Sequence, residues 1–132
     1  MSTNTDVQRI FSGSAWEPKV GYCRAVRAGQ HIYVSGCAPV KDGKVVGEGD
    51  AEAQAARCIE IIEGALKELG ADLSHVVRTR LYCVDAVRDW EAIGRAHARA
   101  FGAHPPATAL VQVRLIEPEM LVEIEADAYV PE

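Results

Sequence analysis

The sequence has no run of basic residues and no long apolar run. Its 14 Lys and Arg residues are outnumbered by 19 Asp and Glu residues, which gives a formal net charge of −5. Nucleic-acid binding requires clustered cations that neutralise phosphates, so the acidic composition argues against a nucleic-acid partner. No segment approaches the roughly 20 consecutive apolar residues that a membrane-spanning helix needs. We therefore expect a protein that binds neither nucleic acid nor membranes.

The sequence also has no CxxC motif, and we expect no secretory leader. The four cysteines, Cys23, Cys37, Cys58 and Cys83, contain no CxxC pair. Residues 1–6 are polar and have none of the apolar character of a leader peptide. We interpret the cysteines as free thiols that pack as small apolar side chains. Free thiols are typical of a reducing compartment, so we expect the protein to be cytoplasmic.

Several common catalytic arrangements are missing as well. The four histidines show no metal-ligand spacing with the cysteines, so no metal site is predicted. Gly43, Gly47 and Gly49 lack the strand–turn–helix setting and the lysine of a phosphate-binding loop. No GxSxG nucleophile motif occurs.

The sequence does contain the pattern of one compact domain. Its 132 residues, 48% of them hydrophobic, are enough to bury a core, so we treat residues 1–132 as a single domain. Strands are predicted at residues 8–12, 22–28, 31–36, 76–84, 108–114 and 121–129. The turn at residues 28–30 indicates a hairpin between the second and third of these strands.

Two amphipathic helices are predicted from apolar residues that recur every three or four positions. Asp50 is expected to cap the first helix, and Gly70 to end it. The apolar stripe of this helix contains Ala55, Cys58, Ile59, Ile62, Ala65, Leu66 and Leu69. Asp85 is expected to cap the second helix, over residues 86–101. Its core-facing stripe is read as Trp90, Ile93, Gly94, His97 and Phe101.

The last predicted strand alternates between apolar and acidic residues. Val122, Ile124, Ala126, Ala128 and Val130 form one face, and Glu123, Glu125 and Asp127 form the other. We expect the apolar face to pack on the helices, which gives an α+β fold with one mixed sheet and two helices on one side. The acidic face is expected to continue onto a neighbouring strand through Thr108, Leu110, Gln112 and Arg114. Such a mixed face suits either solvent or a subunit interface. On strand 76–84 we expect Val77, Thr79, Leu81 and Cys83 to share one face.

Four segments, taken in order, resemble the RidA/YjgF family, also called the reactive intermediate deaminase family. They are residues 20–26 (VGYCRAV), 31–36 (HIYVSG), 106–109 (PATA) and 122–126 (VEIEA). The likeness extends over about residues 11–129. It implies a chorismate-mutase-like fold and a homotrimer in which the three sheets form an inner barrel. Small metabolites would then bind in clefts between subunits. Familiar members hydrolyse enamines and imines such as 2-aminoacrylate, and they use no metal or organic cofactor.

The resemblance also implies roles for individual residues. Glu123 matches the glutamate that positions the attacking water, and Tyr22 matches a cleft tyrosine. Ser35 and Gly36 fall on the loop that contacts substrate, and Cys37 follows that loop. His97 falls where many members carry an aromatic residue near the cleft. Each has a structural alternative: a solvated or interface carboxylate, a packing aromatic, a turn that ends a strand, a small buried thiol and a buried histidine.

One position departs from the family pattern. The arginine that grips the substrate carboxylate in a Pro-Ala-Arg motif corresponds to Thr108, which has no charge and cannot form paired hydrogen bonds. Arg24 lies two residues from Tyr22, so both side chains should point to the same side of one strand. Arg24 could then supply the missing guanidinium. The alternative is an ion pair across the subunit interface with Glu123, Glu125 or Asp127. Arg114 is a second candidate.

The functional prediction is therefore a cofactor-free enamine or imine hydrolase with an altered substrate range. The alternative is a trimer that binds small ligands or regulates an enzyme without catalysis. An endoribonuclease is disfavoured by the acidic charge. The residue at position 108 separates the first two, because a carboxylated imine needs a cation in the cleft.

Overall fold

The structure, a computed structural model, describes residues 6–132. The strands are β1 (Val7–Ile10), β2 (Ala25–Ala28), β3 (His31–Cys37), β4 (Val40–Lys41), β5 (Lys44–Val45), β6 (Val76–Cys83), β7 (Ala107–Gln112) and β8 (Val122–Tyr129). The helices are α1 (Trp16–Val20), α2 (Ala51–Glu68) and α3 (Ala86–Phe101), with a 3₁₀ turn at Leu73–His75. The predicted mixed α+β fold is confirmed, with a short third helix added.

Six strands form one sheet in the order β1-β2-β3-β8-β6-β7. Neighbours are antiparallel except β6 and β7, which run parallel and are joined through α3. A parallel pair needs such a crossover, because a tight turn can join only antiparallel strands. The strands β4 and β5 form a separate hairpin. The sheet therefore has β1 and β7 at its edges and β8 near its middle.

The helix α2 follows the sequence prediction closely. Asp50 Oδ1 accepts a hydrogen bond from the Ala53 backbone N–H at 3.0 Å, as an N-cap does. Gly70 has a φ of +82°, a left-handed conformation that favours glycine after a helix end. Every residue of the predicted apolar stripe is buried. Together with the apolar face of β8, this stripe forms the centre of the core.

The predicted stripe of α3 was correct for Ile93 and Phe101 and wrong for Trp90 and Gly94. Trp90 is 56% exposed, and Gly94 is also exposed. The buried residues of α3 are Asp89, Ile93, Ala96 and Phe101. Asp89 can be buried because Arg88 donates two hydrogen bonds to its carboxylate, at 3.0 and 2.8 Å. The alanines on the true inner face gave a weaker apolar signal than the tryptophan did.

The segment before β2 also differs from its prediction. Strand β2 begins at Ala25, and Tyr22 lies before it, just after α1. Gly21 ends α1 with a φ of +90°, and the Tyr22 N–H donates to the Glu17 carbonyl at 3.1 Å. Tyr22 and Arg24 both lie before β2, so the prediction that they belong to one strand was wrong.

The inner face of β6 also differs from its prediction. The register of β6 against β8 shifts between Val76 and Arg78, so Val76 is buried and Val77 is 51% exposed. Val77 therefore does not share the inner face of Thr79, Leu81 and Cys83.

None of the helices in residues 6–132 has the length and apolar character of a membrane span.

Candidate functional site

The carboxylate of Glu123 lies on the face of the sheet that the long helices leave open. Its neighbours Val122 and Ile124 on β8 are fully buried on the opposite, helix-covered face. Glu123 itself is half-buried. Within residues 6–132 it forms neither a hydrogen bond nor an ion pair, so both of its oxygens are free to bind a ligand or a water molecule.

The two following acidic residues of β8 are engaged instead. The hydroxyl of Tyr82 donates to Glu125 Oε1 at 2.5 Å. Arg80 Nη1 lies 3.5 Å from Glu125 Oε1 and 3.4 Å from Asp127 Oδ2. The hydrogen bond to Glu125 raises the pKa of the Tyr82 hydroxyl. Of the three acidic side chains on this strand, Glu123 is the one left unpaired within the described chain.

Gly36 packs directly against the Glu123 side chain. A β-carbon added at Gly36 would overlap Glu123 Oε2. Position 36 is therefore a close approach that only glycine allows while the carboxylate keeps its position. The sequence resemblance named both residues, and the structure brings them together.

A β-bulge creates this approach. Strand β3 pairs with β8 as Val34↔Ala126 and then Cys37↔Ile124, so it has one more residue than β8 over that interval. The extra residue falls at Ser35–Gly36. Bulges bend a strand and redirect its side chains, and they are frequent beside active sites. The Ser35 hydroxyl donates to the Cys23 carbonyl at 2.7 Å, so it stabilises the bulge.

Arg24 holds the other side of the bulge. Its Nη1 donates to the Gly36 carbonyl at 3.1 Å, the Ser35 carbonyl at 3.4 Å and Cys37 Sγ at 3.1 Å. Its Nε is the one buried side-chain nitrogen or oxygen in the described residues that has no hydrogen-bond partner. Within that part of the chain Arg24 forms no ion pair. Its guanidinium is largely committed to the backbone of the bulge.

The titration of Glu123 reflects these surroundings. Burial raises the pKa of Glu123, the positive charge of Arg24 opposes that rise, and the negative charge of Glu125 adds to it. The net effect is a pKa above the ordinary value. Such a carboxyl exchanges protons closer to neutral pH than a solvated glutamate, which suits general acid–base chemistry.

Cys37 is not placed for nucleophilic chemistry. It is fully buried, and burial raises the pKa of its thiol to about 11 in spite of the nearby Arg24. The thiolate is the reactive form, so this cysteine is inert near neutral pH. Its contact with Arg24 helps to fix the bulge. No group of three or more His, Cys, Asp or Glu within residues 6–132 is placed to hold a metal ion.

Thr108 and His97 meet in a second cluster, through a residue that the sequence did not single out. Thr79 Oγ1 lies 2.7 Å from Thr108 Oγ1 and 2.9 Å from His97 Nε2. Thr79 is fully buried, whereas Thr108 is exposed. The His97 ring also packs on Phe101, with ring centroids 4.7 Å apart. Burial lowers the pKa of His97, which favours its neutral form. The one sequence feature that could have indicated this cluster was Thr79 itself, a polar residue among the apolar residues on the inner face of β6.

The two clusters lie on opposite faces of the sheet. Parallel pairing puts Thr108 beside Thr79, whose side chain points toward α3. Glu123 pairs instead with Tyr82, on the open face. The expectation that Thr108, Leu110 and Gln112 share the acidic face was therefore wrong. Gln112 lies on the helix side, where its Oε1 accepts the Ala86 N–H at 2.9 Å. Residues of one chain alone do not combine Glu123 with Thr108.

Tyr22 lines a third region. An open hollow of ≈ 670 Å³ lies around α1 and the start of β2. It is lined by Arg9, Phe11, Gly13, Ser14, Ala15, Glu17, Pro18, Gly21, Tyr22 and Cys23. The buried Glu17 carboxylate accepts hydrogen bonds from the Ser12 and Gly13 backbones, which fixes the loop that forms one wall. Tyr22 is 36% exposed in this hollow.

Comparisons with known proteins agree with the fold. Residues 12–130 match the family described as Endoribonuclease L-PSP. An uncharacterized protein of Streptomyces coelicolor is 38% identical over 128 residues, covering 96% of this chain and 95% of that protein. The 3-aminoacrylate deaminase RutC of Acinetobacter baylyi is 35% identical over 114 residues, covering 86% of this chain and 90% of the enzyme. The crystal structure of a YjgF-family protein of Mycobacterium tuberculosis has 45% identity and a TM-score of 0.85, covering 95% of this chain and 100% of that one.

Proposed function

The chain belongs to the Endoribonuclease L-PSP family, which includes proteins named RutC and YjgF, and on that premise we propose that it hydrolyses small enamines or imines. In this reaction water adds to the carbon of a C=N bond, and the resulting carbinolamine loses ammonia to leave a carbonyl compound. An enamine must first take a proton on carbon to become the imine. The observation that carries the proposal is the unpaired, half-buried carboxyl of Glu123 beside Gly36.

Glu123 would move the protons. As a carboxylate it accepts a proton from the attacking water, and as a carboxylic acid it returns that proton to the departing nitrogen. Burial raises the pKa of Glu123, which moves its proton exchange toward neutral pH and so favours this cycle. The bulge at Ser35–Gly36, held by Arg24, would keep the carboxyl in place through both steps.

We further propose that the site forms between copies of the chain in a homotrimer. The support is geometric: Glu123 and Thr108 lie on opposite faces of one sheet, so a cleft that contains both needs two subunits. Thr108 is on the edge strand β7, where a neighbouring chain can approach it. Light scattering at micromolar concentration should give about three times the 14.3 kDa chain mass. A 14.3 kDa species would rule out the shared cleft.

The enzymatic proposal is tested with 2-aminoacrylate generated in situ. The wild-type protein should accelerate its loss, and Glu123→Gln should reduce the rate by about 10²–10⁴-fold, the usual contribution of a general acid–base group. Glu125→Gln, measured on the pH plateau above the acid limb, is the matched control, because that carboxylate is already bound by Tyr82 and Arg80. The relative named as a 3-aminoacrylate deaminase suggests 3-aminoacrylate as a second probe. Equal rates for wild type and Glu123→Gln on both probes would contradict the assigned role.

The uncharged residue at position 108 favours one competing function, a trimer that binds small ligands without turning them over. In that case the wild-type protein would leave both aminoacrylates untouched. Thr108→Arg then tests whether the rest of the site is intact, because it restores a guanidinium that can grip a carboxylate. Activity gained in Thr108→Arg and lost again in Thr108→Arg with Glu123→Gln would show a working carboxyl and a different natural ligand.

A further inference from the structure

The hydroxyl of Thr108 is the exposed end of a hydrogen-bonded chain that begins inside the protein. His97 on α3 contacts Thr79 Oγ1 at 2.9 Å, and Thr79 Oγ1 contacts Thr108 Oγ1 at 2.7 Å. The middle member has no exposed surface at all. Neither Thr79 nor its link to His97 belongs to the site assigned from the sequence.

The hydrogen bonds from His97 through Thr79 give the Thr108 hydroxyl a defined direction. Thr79 has one hydroxyl proton, and it donates that proton to Thr108 Oγ1. Thr79 Oγ1 is then an acceptor for the Nε2–H of His97, which a neutral imidazole can supply. With its oxygen occupied by Thr79, Thr108 has its own O–H free to donate outward. Such a group recognises a lone pair on a carbonyl oxygen or an imine nitrogen.

Of the cations near Glu123, Arg24 and Arg80 are already engaged by other groups. Thr108 is neutral, Arg24 is bound to the carbonyls of the bulge, and Arg80 is paired with Glu125 and Asp127. The unpaired Glu123 adds a negative charge to the same site. Placing a substrate carboxylate there without a cation would cost free energy, because a buried charge needs a partner.

We propose that Thr79 and His97 are positioning residues that aim the Thr108 hydroxyl at an uncharged carbonyl or imine group, so that the site takes neutral substrates in preference to carboxylates. This inference rests on the proposed function, since it assumes the cleft between subunits. In this arrangement one hydrogen bond from the Thr108 hydroxyl takes the place of the arginine that binds the substrate carboxylate in the family pattern.

Pyruvamide and pyruvate make a matched pair of probes, because they share the 2-oxo group and differ in the charge of the neighbouring group. Their affinities for the intact assembly are measured by NMR titration of the ¹⁵N-labelled protein. We expect pyruvamide to bind at least about tenfold more tightly than pyruvate, a difference of about 1.4 kcal/mol. In Thr108→Arg the preference should reverse.

Variants that remove single hydrogen bonds test the positioning role. Thr108→Val and Thr79→Val should each weaken pyruvamide binding by about 2–10-fold, the usual range for one neutral hydrogen bond. Thr79→Ser and Thr108→Ser keep the hydroxyl and should stay within about twofold of wild type. Tyr129→Phe removes a hydroxyl that is bonded to Gln30 at the far end of β8 and serves as the control.

Two variants at His97 distinguish a positioning role from a packing role. His97→Gln keeps an N–H donor near Thr79 but loses the ring contact with Phe101, whereas His97→Phe keeps a ring and loses the donor. A positioning role predicts that Gln retains pyruvamide affinity and Phe loses it by about 2–10-fold. Retained affinity in His97→Phe with loss in His97→Gln would show a packing role and overturn the proposal.

The outcomes distinguish this inference from the proposed function. Pyruvate binding as tightly as pyruvamide, with hydrolysis of 2-aminoacrylate still dependent on Glu123, would overturn the neutral-substrate inference alone. Failure of both probes to bind at millimolar concentration, together with no Glu123-dependent hydrolysis, would overturn both proposals.

Discussion

Replacing Gly36 with alanine is the most direct test of how the candidate site is built. The new methyl group would overlap Glu123 Oε2, so either the carboxyl or the bulge must move. The atom it meets is the end of a flexible side chain, and movement of the carboxyl is the easier response. Position 36 has no left-handed backbone angle, so alanine is otherwise compatible with the fold.

The expected effect is therefore large on activity and small on stability. Shifting a catalytic group by about 1 Å can cost on the order of 10²-fold in rate, since proton transfer depends on geometry. Unfolding free energy should fall by less than about 1.5 kcal/mol, as for mild overpacking beside a side chain that can yield. Enamine hydrolysis measures the first quantity, and urea unfolding followed by circular dichroism measures the second.

A double-mutant cycle shows whether the loss acts through Glu123. In a Glu123→Gln background the catalytic carboxylate is already gone, so adding Gly36→Ala should reduce the rate by less than about twofold. Equal losses in both backgrounds would mean that alanine damages the cleft in some other way. An unchanged rate for Gly36→Ala alone would refute the close-contact argument.

Three further results are expected. Removing the Glu125 charge in Glu125→Gln should lower the pKa of Glu123, which shifts the acid limb of a pH–rate profile to lower pH. Arg24→Met leaves the carbonyls of the bulge without their donor, so the free energy of urea unfolding should fall by about 1–3 kcal/mol. The same variant should shift this limb to higher pH, because the positive charge that lowers the Glu123 pKa is lost. Glu123→Gln should raise the melting temperature at pH 7: a folded pKa above the unfolded value means that ionisation penalises the folded state above both values, and the gain should disappear below about pH 4.

Local patterns predicted much of the fold. The alternation of apolar and acidic residues along β8 and the three-four spacing along α2 both matched the structure, because each element buries one long continuous face. The N-caps Asp50 and Asp85 were also correct. These signals lie within one element and do not depend on its neighbours.

Features that depend on pairing between elements were missed. The face of Thr108 is decided by its parallel register with Thr79, which no local pattern encodes. The register shift that exposes Val77 changes the alternation of β6 at the start of the strand. The short helix α1 has only five residues, too few to show a periodic stripe.

The candidate site also contains residues that the sequence predicted and contacts that it did not. The resemblance named Glu123, Ser35 and Gly36 as site residues, and in the structure Gly36 packs against the Glu123 side chain. The backbone contacts of Arg24 could not be foreseen, because they join residues more than ten positions apart through a bulge. Its two suggested roles were a replacement guanidinium and an ion pair between subunits.

The position of β7 at the edge of the sheet has a consequence for handling the protein. Among residues 6–132 no strand pairs with its outer edge, and Ala107–Gln112 contains no charged residue and no proline. Exposed strand edges of this kind recruit strands from other molecules and start aggregation. The residues that discourage such pairing, Pro106 and Arg114, stand outside the strand. We expect variants that block assembly to precipitate during expression, even when the fold of each chain is intact.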